Sequence, residues 1–150
     1  MTKAVPDGYA TVTPSLSIKG ASDAIEFYKT AFGAKELSRM PGPGGAIMHA
    51  ELQIGTSRVM LAEAMMGPPT QAGLHLYVED CNAAWARAVA AGCKIEMPLA
   101  DMFWGDRFGI LSDKFGNRWS IASHKEDVAP DVMMKRMEAE MAKMATTAKP

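Results

Sequence analysis

The chain has 150 residues, 48% hydrophobic and 22% charged, with a formal net charge of −1. That balance is globular and suits one ordinary domain, and a near-neutral chain has no electrostatic grip on nucleic acid or an acidic membrane surface. No apolar run approaches the ~20 residues that span a bilayer, and residues 1–7 carry neither an apolar stretch nor a cleavage pattern, so a soluble cytoplasmic protein is expected.

Residues 9–18 alternate in the manner of a strand, with Pro14, Leu16 and Ile18 on one side and Thr13, Ser15 and Ser17 on the other. Gly20 turns the chain, and Ser22 or Asp23 is expected to cap a helix with Ile25, Tyr28 and Phe32 as its apolar stripe. Gly33 closes that helix. Strand-like runs follow at residues 36–40, 47–54 and 58–63, the last two joined by a Gly55-Thr56-Ser57 hairpin.

The pattern then returns. Residues 74–78 read as a strand, Asp80 as a cap, and Trp85, Ala88 and Val89 as a helix stripe ended by Gly92. Strand-like runs at 94–97, 107–112 and 118–122 complete the second copy, with a hairpin at residues 114–117. Gly33-Ala34-Lys35 reappears as Gly92-Cys93-Lys94, Gly55 corresponds to Gly116, and Arg58 to Arg118. A strand–helix–three-strand unit therefore occurs twice, in modules at about 8–65 and 72–124. Cys81 and Cys93 flank the second helix, roughly 15–18 Å apart, beyond disulfide reach. Both are expected to be free thiols.

Residues 128–150 form a separate extension. Pro130 suits the first position of a helix, Met134, Met137, Met141 and Met144 fall at 3/4 spacing, and residues 145–150 are expected to fray. A helix of this length is marginal in water without a packing partner. Its methionine seam therefore needs an apolar surface, supplied either by its own domain or by a second chain.

Three stretches carry a resemblance: Ala24-Ile25-Glu26-Phe27-Tyr28 running to Phe32-Gly33-Ala34, Trp104-Gly105-Asp106-Arg107-Phe108-Gly109, and Asp113-Lys114-Phe115-Gly116-Asn117-Arg118-Trp119. With the doubled βαβββ order, they resemble the vicinal oxygen chelate superfamily of glyoxalases, bleomycin-resistance proteins and extradiol dioxygenases, and within it the PhnB-like branch. Lys114 stands where the branch has proline. The resemblance spans residues 8–127 and implies an α+β domain whose two modules form a cup-shaped mixed sheet, and, since members commonly pair across their sheets, a homodimer that the C-terminal helix helps to hold. In such folds one face of each sheet lies under its helix and the other lines the cup. Alternation then assigns to the cup His49, Glu51, Gln53, Arg58, Met60, Ala62, His75, Tyr77, Arg118 and Ser120.

Metal-dependent members place His, Gln or Glu at positions that here hold Thr13, Met60, Gly73 and Ser120. None of these is a good divalent-metal ligand, so no cofactor is expected at that site. A displaced site built from His49, Glu51 and His75 has the right chemistry for a divalent metal if the strands approach. Elsewhere, the run Pro41-Gly42-Pro43-Gly44-Gly45 leads into a strand and lacks the ending of a phosphate loop. Met97, Met102, Phe103 and Trp104, beside Asp106 and Arg107, supply the surface that a flat or amphipathic molecule would use.

Two readings follow. One is a small-molecule binding protein with His49, Glu51, Met60, His75, Tyr77, Trp104, Arg107 and Ser120 as ligand contacts. The other is a lyase, isomerase or dioxygenase-type enzyme with a metal displaced to His49, Glu51 and His75.

Overall fold

The computed structural model describes residues 1–147. The first module runs β1 (Ser15–Ile18), α1 (Ala21–Phe32), β2 (Lys35–Pro41), β3 (Ile47–Ile54) and β4 (Ser57–Glu63). The second repeats it as β5 (Gly73–Tyr77), α2 (Cys81–Ala91), β6 (Lys94–Asp101), β7 (Asp106–Ser112) and β8 (Arg118–His124). A C-terminal helix, α3 (Pro130–Thr147), starts at the proline expected to begin it.

The strand orders are β1-β4-β3-β2 and β5-β8-β7-β6, each with one parallel pair (β1 with β4, β5 with β8) and otherwise antiparallel. The ladders form two four-stranded mixed sheets, one per module, as the doubled βαβββ order implies. β1 and β5 are edge strands of their own sheets.

One hydrophobic core joins the modules. Leu16, Ile18, Ala50, Leu52 and Leu61 of the first sheet share it with Leu111, Trp119 and Ile121 of the second. α1 reaches across, with the Phe32 ring stacked on Trp119 at a centroid distance of 4.2 Å. The polar faces are therefore turned away from this shared core.

The Asp113–Trp119 stretch ties the halves together. Oδ2 of Asp113 accepts from the Tyr28 hydroxyl at 2.6 Å and from Trp119 Nε1 at 2.9 Å. Oδ1 accepts from the backbone N–H groups of Phe115 and Asn117, which shapes the hairpin. Asn117, fully buried, accepts from the backbone of Ala72. Burial first, and then the Asp113 charge, push the Tyr28 phenol up, so it remains a donor. Both cysteines are free and buried, as expected from their separation, and burial pushes the Cys93 thiol up to about 11.

Some local expectations fail for physical reasons. α1 is capped not by Ser22 or Asp23 but from a distance. The Glu63 carboxylate accepts from the N–H groups of Gly20 and Ala21 at 2.8–3.1 Å, while Gly20 takes a left-handed conformation at φ 86°. β1 begins only at Ser15, because residues 9–13 leave the sheet. β6 continues through Pro98 to Asp101, since irregular pairing at Ile95–Met97 and Met97–Ala100 spares the ladder the missing N–H. α3 runs to Thr147, so residues 145–147 of the end expected to fray are helical here; residues 148–150 lie outside the described residues.

Candidate functional site

Pairing in each sheet aligns side chains on its polar face. In the first sheet Ser15, Met60, Glu51 and Ser38 lie on one rung, with Arg58 beside Gln53 and His49 beside Met40 on neighbouring rungs. In the second the equivalent rung is His75, Ser120, Ile110 and Met97. Met60 and Ser120 thus hold corresponding places in the two modules.

The second sheet carries the denser cluster. His75 Nδ1 lies 2.7 Å from Ser120 Oγ, its ring meets Tyr77 edge-on at 4.6 Å, and it stacks on Phe108 at 5.7 Å. Trp104 packs against Phe103 at 5.1 Å and Phe108 at 5.4 Å. His75 is exposed and Tyr77 is 64% exposed, so this aromatic surface is open to a ligand.

Asp106 anchors the cluster from below. It is 3% exposed and accepts from the Tyr77 hydroxyl at 2.8 Å and Trp104 Nε1 at 3.1 Å. His124 Nδ1 lies 2.7 Å from its other oxygen, and His124 Nε2 lies 2.7 Å from Asp127. Burial would raise the Asp106 carboxyl, but hydrogen bonds from His124, Tyr77 and Trp104 hold it below the usual range. Hydrogen bonds to Asp127 first, then Asp106, push the His124 imidazole up. Three aromatic side chains are thereby fixed at one carboxylate, which is how a binding surface is preorganised.

Of the expected site residues, His75, Tyr77, Trp104 and Ser120 are gathered on the second sheet, and His49, Glu51 and Met60 on the first. Arg107 joins neither group. One residue out of phase with Asp106 and Phe108, it points toward the helices, donating to Asn82 of α2 at 2.9 Å and Asp101 at 3.3 Å. The displaced metal trio is not assembled within one chain. His49 Nε2 and Glu51 are 3.4 Å apart, but His75 lies on the other sheet, and among the described residues no three His, Cys, Asp or Glu are placed to hold a metal. At the positions where metal-dependent members of the resembled superfamily place ligands, Thr13 spends its hydroxyl on Ala10 and Ser120 on His75 and Leu74, while Met60 and Gly73 offer no hard donor. That set does not fit a divalent metal.

Phe108 and His124 were missed from sequence. Alternation through Asp106, Phe108 and Ile110 could have placed the first on the site face, whereas His124 needed the longer β8. A separate groove of about 520 Å³ runs along β5 at the seam of the modules, lined by Phe32, Ile54, Leu74, Leu76 and Val78 and touching His75 and Tyr77.

Comparison with known proteins decides the family, since the pattern of the Glyoxalase/Bleomycin resistance protein/Dioxygenase superfamily matches residues 12–121. The chain belongs to that superfamily. An uncharacterized protein of Mycobacterium bovis, Mb0911c, is 38% identical over 86% of this chain and 93% of its own. Protein YjdN of Escherichia coli is 32% identical over 73% of this chain and 92% of its own. Among solved structures of the superfamily fold, TioX from Micromonospora sp. ML1 has a TM-score of 0.68 at 28% identity, covering 77% of this chain and 98% of its own. TnmS3 from Streptomyces sp. CB03234, described as an antibiotic binding protein, has a TM-score of 0.64 at 22% identity, covering 83% and 100%. A PhnB protein from Bacillus cereus shares the same fold, with a TM-score of 0.58 at 21% identity over 76% and 99%.

Proposed function

We propose that this superfamily member binds a small, partly aromatic molecule of the antibiotic or metabolite kind, without a metal at the site used by its metal-dependent relatives. The observation that carries the reading is the open surface of His75, Tyr77, Phe108 and Trp104, locked from beneath by buried Asp106. Such a surface offers flat contact area with a few fixed polar groups, the usual make-up of a small-molecule site. The donor set at Thr13, Met60, Gly73 and Ser120 supports binding over metal-assisted chemistry, and the likeness to an antibiotic binding protein agrees.

The test starts from a compound found by screening aromatic antibiotics against tryptophan fluorescence. Trp104→Ala is expected to weaken its binding by about 1–3 kcal/mol, with the compound recovered chemically unchanged. Unchanged affinity with a sharply lower melting temperature would make Trp104 a core residue instead.

The homodimer belongs to the same proposal. The polar faces of the two sheets are half-sites, and a second copy would bring His49, Glu51 and Met60 of one chain opposite His75 and Tyr77 of the other. α3 supports this. Met134, Met141 and Met144 are 54–67% exposed, and the helix is held to its own domain by Arg136, which donates to Glu126 at 2.9 and 3.0 Å and to the Phe103 carbonyl. Truncation after Asp127 is expected to weaken dimerisation at least several-fold, read from mass in solution across a dilution series. A truncated chain that dimerises as tightly would remove α3 from the interface.

A further inference from the structure

The segment that leaves β1 lies over the polar face of the first sheet. Ala4, Val5, Pro6, Tyr9, Ala10, Thr11 and Thr13 line, with Glu51 and Met60, an open pocket of about 310 Å³. Among the described residues, every well-formed hydrogen bond of residues 1–13 is internal to the segment. Lys3 pairs with Asp7 at 2.6 Å, the Tyr9 N–H donates to Pro6 at 3.1 Å, and Thr13 donates to Ala10 at 3.5 Å. The segment is thus folded on itself and only leaned against the sheet.

Its one specific hold is Tyr9. The Arg58 guanidinium sits 4.7 Å from the centre of the Tyr9 ring, a cation–π contact. Gly8, at φ 84°, permits the approach, because a Cβ there would overlap that guanidinium. The Tyr9 hydroxyl faces both Glu51 and Arg58, but neither contact has well-formed hydrogen-bond geometry, and Arg58 Nε shares that condition. Buried polar groups in native proteins are nearly always well paired, so loosely made polar contacts at one pocket leave the segment easy to displace.

We propose that residues 4–13 are a lid over the first-sheet half of the ligand site, latched by Tyr9 on Arg58, with the bound molecule seated beneath it on Glu51 and Met60. This rests on the binding reading above. Residues 11–13, which tie the segment to the sheet without bonding to it, are the hinge.

The latch is tested without any ligand, by the initial rate of chymotrypsin cleavage after Tyr9 in the full chain. Arg58→Met and Gly8→Ala are each expected to raise that rate about fivefold or more at unchanged melting temperature, since both loosen the lid without touching the core. Equal cleavage in wild type and both variants would overturn the latch. The cover is tested with 8-anilinonaphthalene-1-sulfonate as probe, in stopped flow, on the full chain and on a chain lacking residues 2–12. The probe is expected to dissociate about tenfold faster from the shortened chain; equal dissociation rates would overturn the lid. A protein that never binds the probe counts against the binding reading alone, and the cleavage rates still decide the latch.

Discussion

Asp113→Ala is expected to destabilise the fold by about 3–5 kcal/mol, because it strands two buried donors in the shared core. Tyr28 and Trp119, at 0% and 1% exposure, have no water to turn to when Oδ2 is lost. The same change releases the Phe115 and Asn117 N–H groups that shape the hairpin, and Asn117 in turn holds Ala72 at the entry to β5. For a domain of this size the loss amounts to a fall in melting temperature on the order of 10 °C. Asp113→Asn should fall between wild type and Asp113→Ala. Its single acceptor oxygen can serve the hairpin or the Tyr28–Trp119 pair but not both. Thermal unfolding of the three proteins checks the order, and equal melting temperatures would show that the two modules are joined by apolar packing alone.

Asp106→Ala is expected to cost about 2 kcal/mol and to release the site surface as well. The stability cost is smaller than at Asp113, since Tyr77 and His124 are exposed enough to find water. Removing Asp106 frees Tyr77, Trp104 and His124 together, so ligand affinity should fall at least as far as in Trp104→Ala. The cluster also predicts a pH dependence. The His124 imidazole is raised, so its contribution is complete below the unfolded value of about 6.5 and is lost as pH rises through the folded one. The Asp106 carboxyl is lowered, so its contribution is present above the unfolded value of about 3.9 and is lost as acid titrates the folded group. The difference in melting temperature between wild type and His124→Ala should therefore shrink from pH 6 to pH 9. A constant difference would show that His124 contributes by packing and not by charge.

Much of the fold could be read from the chain because local signals and the repeat agree. Gly33 and Gly92 both close helices in left-handed conformations, at φ 68° and φ 116°, and the alternation at residues 47–54 assigns Ala50 and Leu52 to the core. The doubled element order carried the family. What the chain hid depends on distant partners. Glu63 caps α1 from 42–43 residues away, and Asp113 reaches Tyr28 across 85. Neither pairing leaves a local trace in composition or period.

The site was legible in part for the same reason. Period two put His75, Tyr77 and Ser120 on one face and His49, Glu51 and Met60 on another, and the structure keeps both groups. Alternation could not say whether the two faces meet within one chain or between two. Arg107 was carried in by its neighbour Asp106, although adjacent strand residues point oppositely and its guanidinium serves Asn82. The alternation through residues 9–18 makes Tyr9 the first residue of a strand. Only the early departure of the chain from β1 turns it over the sheet.

The central claim, that the site holds its ligand with aromatic and polar side chains and no metal, meets its most direct test in elemental analysis. Protein purified without added metal or chelator is expected to contain Zn, Ni, Mn and Fe far below one equivalent per chain, and His75→Ala should leave those values unchanged. About one metal per chain, lost on His75→Ala, would contradict the claim and establish the reading in which His49, Glu51 and His75 form a metal centre.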